Sequence, residues 1–313
     1  MLLGFLLASY SIVANDAIQT LGTFLSSNAH RPWWVLWLFA ASILTVVLVF
    51  GWATSGGDVS YGRLTDIPYP ASGGWLLILP PLTVLVLTRF GAPVSTTFLI
   101  LGGFAPRNLG AMLVKSGVGY LVAFGLAIAI YAAIARLERR FLGAGEAEAD
   151  REDIPTQWVV LQWMSTAWLW GNWLIQDLAN IFAYLPRRLP LAYLLASLFV
   201  MLALQAVLFA RRGGEIQKIV TSKTNLSDIR SATIVDFLYG IVLFVFKSYS
   251  NVPMSTTWVF LGLLAGREIV LAYRLGTRRT SEVGSILAID LGKATLGLVV
   301  SVALALLLDT FRA

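Results

Sequence analysis

Cysteine is missing from this 313-residue chain, and histidine occurs once, at His30. Without cysteine there is no disulfide framework, no zinc–thiolate site and no thiol nucleophile. One histidine excludes a multi-histidine metal site, and any triad or relay would have to rest on His30. Charge is scarce too, since Asp, Glu, Lys and Arg make up 13% of residues, against about 25% in a soluble domain. Disorder, collagen and coiled coil are excluded on the same grounds. What fills the chain is apolar: 58% of residues are hydrophobic and the mean hydropathy is +0.77, a composition suited to a bilayer. The length then fits one membrane body of several spans.

A bilayer-crossing helix needs roughly 20 apolar residues. Continuous candidates are 33–53, 112–135, 190–210 and 286–308. Stretches 1–27 and 158–185 are long enough but carry Asn15-Asp16 and Gln176-Asp177 at mid-depth. Residues 1–9 hold no basic segment, so no cleavable signal peptide is expected. Two more apolar regions, 74–104 and 232–266, break in the middle, at Arg89-Phe90-Gly91-Ala92-Pro93 and at Ser248-Tyr249-Ser250-Asn251-Val252-Pro253. Each piece looks too short to cross, and each break ends in proline, which predicts a re-entrant helical hairpin with its tip inside the membrane.

The chain also repeats itself. Residues 93–107 read PVSTTFLILGGFAPR and residues 253–267 read PMSTTWVFLGLLAGR, with eight of fifteen positions identical without a gap. Nearly the same shift superposes Asn15-Asp16 on Gln176-Asp177 and Gln19 on Asn180. The expected architecture is an all-α polytopic membrane protein of two repeats, 1–140 and 157–313, joined by a charged linker at 141–156. Each repeat has the order span, span, hairpin, span. Three crossings per repeat put the second in inverted topology. Loops near 28–32, 136–156, 211–231 and 267–285 hold fourteen Lys or Arg, against six on the opposite face. The positive-inside rule therefore places the linker in the cytoplasm and both termini outside a bacterial-type cytoplasmic (inner) membrane. The net charge of +6 needs no nucleic acid to explain it.

Asp16 and Asp177 are the residues hardest to explain by packing. A carboxylate at bilayer depth costs roughly 2.5–3.5 kcal/mol on insertion scales. A buried lysine such as Lys115 or Lys293 could neutralise it; recurrence in both halves beside an amide favours a cation or proton site. Ser95-Thr96-Thr97 and Ser255-Thr256-Thr257 each follow a proline, as in the first turn of a helix. Free backbone N–H groups and hydroxyls there suit an anion, and the hydroxyl oxygens also suit a hard cation such as sodium. The bland alternative is that the hydroxyls cap their own helix. Arg89, four residues before the tip proline, is a candidate for facing a bound oxyanion. Lys115, Lys293 and Lys247 read as snorkelling to headgroups, so lipid is the partner of the outer surface. Asp236 and Asp290 read as solvated or paired.

Residues 14–23, Ala-Asn-Asp-Ala-Ile-Gln-Thr-Leu-Gly-Thr, resemble the GANDVANAxGT signature of the inorganic phosphate transporter (PiT) family. The two Pro-x-Ser-Thr-Thr runs are similar to its PVSTTH hairpin tips. The family carries both signatures twice, in inverted halves with external termini. With Arg89 added from its place before the tip proline, the resemblance implies that Asn15, Gln176 and the hydroxyls of Ser95, Thr96, Thr97, Ser255, Thr256 and Thr257 bind substrate. It further implies that Asp16, Asp177, Gln19 and Asn180 serve coupling cations, with sodium at Asp16 and Asp177 as the metal in question. In this chain the motif's histidine is replaced by Phe98 and Trp258, and Gly22 has Ala183 as its counterpart.

The expected function is cation-coupled symport, by sodium or protons, of inorganic phosphate by alternating access. Sulfate or another oxyanion, and a passive anion channel on the same scaffold, stay open as alternatives. No cofactor and no catalytic residue are expected, because an acid–base enzyme built on Asp16 and Asp177 would lack a nucleophile or metal. A sensor that binds without turnover, and a homodimer, also stay open.

Overall fold

In lipid, a long apolar run satisfies its backbone polar groups only as a helix, and the structure follows that rule. A computed structural model describes residues 1–67, 69, 75–89, 94–137, 155–213, 217, 229–275 and 280–311. Among the described residues every regular element is helical. Seven helices among the described residues are long and apolar enough to cross a membrane.

The first, α1, spans Leu2–Ser27 and contains a π-helical turn, Val13–Ala17, at Asn15-Asp16. Such a turn inserts a residue into the helix and shifts local carbonyls out of register, and it recurs at functional sites. Helix α2 is Trp33–Thr54, started by Pro32. The first hairpin holds α3, Leu79–Arg89, and a short α4 at 97–104 that begins with a second π-helical turn, Thr97–Leu101. Helix α5, Leu109–Leu137, ends the first half of the chain. In the second, α6 is Thr156–Phe182 and α7 is Leu191–Ala210, each entered through a proline. Helices α8, Ile229–Tyr249, and α9, Thr256–Leu275, form the second hairpin, and α10 is Thr280–Thr310. Most of the linker, 141–154, lies outside the described residues.

Exposure separates the helices by role. Most of α1, α8 and α9 is buried, whereas only a third or less of α2, α5, α7 and α10 is. They present side chains such as Val46, Leu121, Phe199 and Leu306 outward. Helices apolar all round and exposed on one side are lipid-facing spans.

The second hairpin is longer than the sequence implies. Its arms of 21 and 20 residues are both among the seven crossing-length helices, so they are not too short to cross. The apolar run ends at polar residues, but those residues stay helical because they satisfy each other. Arg267 is buried, pairs with Glu268 at 2.6 Å and donates to Ser231 Oγ at 3.2 Å, tying the bases of the two arms together. The first hairpin has the short arms expected of it, and its break at 90–93 lies outside the described residues.

The two halves interlock. Trp37 on α2 donates to the Leu202 carbonyl on α7 at 3.2 Å. Helix α9 lies backbone-close on α5: a Cβ on Gly262 would come within 2.4 Å of the Tyr120 carbonyl oxygen, and one on Gly266 within 2.4 Å of that of Phe124. Gly262-Leu-Leu-Ala-Gly266 is thus a small-xxx-small contact of the kind that lets membrane helices approach closely.

Candidate functional site

The hairpin tips meet the middles of α1 and α6, and they do so in matching ways. Thr96 donates a short hydrogen bond to Asp16 Oδ2. Thr256, 160 residues later in the aligned motif, donates to Asp177 Oδ2 at 2.6 Å. Thr97 reaches across to the other tip, donating to the Met254 carbonyl at 3.3 Å, and Thr257 returns the contact to the Val94 carbonyl at 3.3 Å. Both carboxylates are buried, as are all six tip hydroxyl residues. The mid-depth acids and the two tips therefore form one cluster.

The amides complete it. Asn15 donates to Asp16 Oδ1 at 2.7 Å and lies 3.4 Å from the Val94 carbonyl, and Gln19 donates to Asn15 Oδ1 at 3.1 Å. Asn180 donates to Asp177 Oδ1 at 2.9 Å and approaches the Thr96 and Thr97 hydroxyls at 3.2 Å each. Gln176 turns to the hairpin arm instead, donating to the Leu243 carbonyl at 2.8 Å. Among the described residues, Asn180 Oδ1 and Gln176 Oε1 are buried acceptors without a donor. A buried carbonyl-type oxygen without a partner is costly, and a cation or a donating ligand would satisfy it.

Other expected residues make contacts that the sequence did not indicate. Ser95 and Ser255 cap their helices: their oxygens accept from the Phe98 and Trp258 N–H groups, both at 3.2 Å. Arg89 ends α3 on the exposed surface, apart from the cluster. Lys115 does not snorkel. It is buried, and its ammonium donates to the Ser250 carbonyl at 2.9 Å, to Ser250 Oγ at 3.2 Å and to the Val252 carbonyl at 2.7 Å. It thereby satisfies carbonyls released where α8 ends, and neither Asp16 nor Asp177 is its partner. Asp236 is fully buried and held at 2.6 Å by each of two hydroxyls, Thr23 and Thr166. Phe98 and Trp258, at the places of the motif's histidine, pack edge to face with centroids 5.7 Å apart.

Arg63 is the residue the sequence reading passed over. It lies on the segment 55–67 that follows α2, is 1% exposed, and donates from Nη1 to the Val252 carbonyl at 3.2 Å, beside the second tip. Burial pushes its pKa down to about 10 while the Asp177 carboxylate acts the other way, so it is charged at neutral pH. Three glycines flank it at positive φ: Gly56, Gly57 and Gly62. That pattern, around an Asp58 that turns the chain, was the available sign of a folded-in loop. It reads like any surface loop in sequence.

No protein-family model matches the chain, and a search of curated proteins gives no match either. The chain is similar in structure to one described as the sodium-dependent phosphate transporter. That likeness has a TM-score of 0.60 at 17% identity, and it covers 99% of this chain and 98% of the other. The two proteins share a fold over their whole lengths.

Proposed function

We propose that the chain is a secondary active transporter that moves inorganic phosphate together with a coupling cation, sodium or a proton, by alternating access between two inverted halves of a cytoplasmic membrane protein. The observation that carries this reading is the matched pair of contacts at mid-depth: Thr96 on Asp16 and Thr256 on Asp177. Half-helix starts that converge at the bilayer centre are where transporters of this build hold an ion. The Thr-Thr backbone N–H groups and the hydroxyls of Thr97 and Thr257 are the anion side of the site. The two carboxylates, with Asn180 Oδ1 and Gln176 Oε1, are the cation side. Sodium, a hard cation, accepts such a set of oxygens. The name of the structural neighbour favours phosphate as the first substrate to test. Coupling is expected because an anion entering a negative interior moves against about 2.3 kcal/mol per charge at 100 mV.

The test is uptake of radiolabelled phosphate and sulfate into proteoliposomes, with sodium and pH gradients imposed separately. Concentrative phosphate uptake under one gradient is the expected result. Flux that stays downhill and ignores both gradients would mean a channel, and sulfate alone would change the substrate.

A further inference from the structure

The second tip gathers two basic side chains on one carbonyl oxygen. Lys115 and Arg63 both donate to the same Val252 carbonyl oxygen, at 2.7 and 3.2 Å. Neither makes an ion pair with a carboxylate among the described residues. Lys115 spends its three donors on Ser250 and Val252. Arg63 does not: Nε and Nη2 are buried and have no hydrogen-bond partner among the described residues. These two nitrogens form the side edge of the guanidinium, whose parallel N–H groups match two oxygens of a carboxylate or phosphate. A buried guanidinium with that edge open is expensive unless something anionic meets it.

The edge is also held in place. Asp58 turns the loop by accepting from the Ser60 N–H at 2.7 Å, the Ser60 hydroxyl at 2.6 Å and the Gly62 N–H at 2.8 Å. Arg187 clamps its far end through the Ile67 carbonyl at 3.1 and 2.9 Å, and Leu189 bonds the Gly57 carbonyl at 2.9 Å. A loop anchored at both ends presents its arginine with little entropy left to lose.

We propose that Arg63 is a substrate-binding residue: its Nε–Nη2 edge grips two oxygens of the tetrahedral oxyanion held between the hairpin tips, with Lys115 fixing the Val252 carbonyl beside it. This rests on the oxyanion reading of the site and names a cationic ligand for it. The arginine comes from the first half and the carbonyl it leans on from the second, so substrate would bridge the halves as well as the tips. Nothing in the repeated motifs supplies this group, which makes the site asymmetric between its two sides.

The simpler role is a strut that fastens loop 55–67 to Val252. Arg63→Lys keeps a donor of similar reach for the Val252 carbonyl, Arg63→Gln is too short to keep one, and both delete the paired edge. Binding of phosphate and sulfate to purified wild type and the two variants is measured by calorimetry, alongside each melting temperature. The expected result is an affinity loss of about ten- to a hundredfold in both variants for the oxyanion that wild type binds, larger for glutamine, the range of a lost charge-assisted contact. Lysine binding like wild type overturns the proposal, and so does a variant that melts early but binds normally. Wild type that binds neither anion overturns the oxyanion reading together with this one. If neither variant folds, a cryo-electron microscopy structure of wild type in saturating phosphate decides. An anion at the tips within hydrogen-bond reach of Nε and Nη2 supports the proposal, and one at the tips facing other groups overturns it.

Discussion

At the scale of single residues, chemically similar side chains in one motif do different work. The serines of the two Ser-Thr-Thr runs accept from their own helices, whereas the threonines that follow donate outward to the carboxylates. Ser95→Ala and Ser255→Ala should therefore cost about 1 kcal/mol of stability, the usual value of a lost N-terminal cap, and leave apparent substrate affinity near wild type. Thr96→Val and Thr256→Val keep the branched shape but strip a donor from a buried carboxylate oxygen, at about 1–3 kcal/mol. Apparent affinity for the coupling cation should shift about ten- to a hundredfold, in the same direction at both tips, read from uptake at graded sodium or proton concentration. A response at one tip alone would break the symmetric reading. Asp16→Asn and Asp177→Asn should each abolish concentrative uptake while membrane insertion stays intact, because removing a buried charge eases insertion. Wild-type uptake in both would make these acids structural.

At the scale of elements, the joint between α5 and α9 is the one that tolerates least. Gly262 and Gly266 let two backbones touch, and any side chain there meets a carbonyl oxygen that cannot swing away. Gly262→Ala and Gly266→Ala should each destabilise the protein by about 1–3 kcal/mol, the range of overpacking. Gly266→Leu should remove folded protein altogether. Gly125→Ala on the open side of α5, where a Cβ would meet nothing within 4 Å, is the control and should be neutral or slightly stabilising. Fluorescence-detected size exclusion after stepwise heating separates the four. Equal melting of the Gly125 and Gly266 alanine variants would mean that the close approach carries no stability.

At the scale of the whole molecule, the arrangement of charge sets the orientation. The linker is expected inside and both termini outside. A cysteine at Ala147 in this cysteine-free chain should resist an impermeant thiol reagent in intact cells, and one at Ala313 should label rapidly. The opposite pattern would invert the molecule and put loop 55–67, with Arg63, on the cytoplasmic side.

Composition and periodicity were sufficient for the class of this protein. Apolar runs of bilayer length leave a chain no backbone solution but the helix, so most spans and the proline breaks can be read directly. The repeated motifs marked Asp16, Asp177 and the tip hydroxyls because their pattern recurs along the chain, and repetition needs no three-dimensional information to be seen. Tertiary structure alone decided what had no local signature. Arg63 looks like a surface charge until a glycine-bent loop folds it against Val252, and Lys115 looks like a lipid anchor until the end of α8 presents carbonyls to it. Arg89 looks close to the tip in sequence but ends on the exposed face of α3. In each case the deciding partner is distant in sequence or on another face, and side-chain charge carries no information about which carbonyl or helix it will meet.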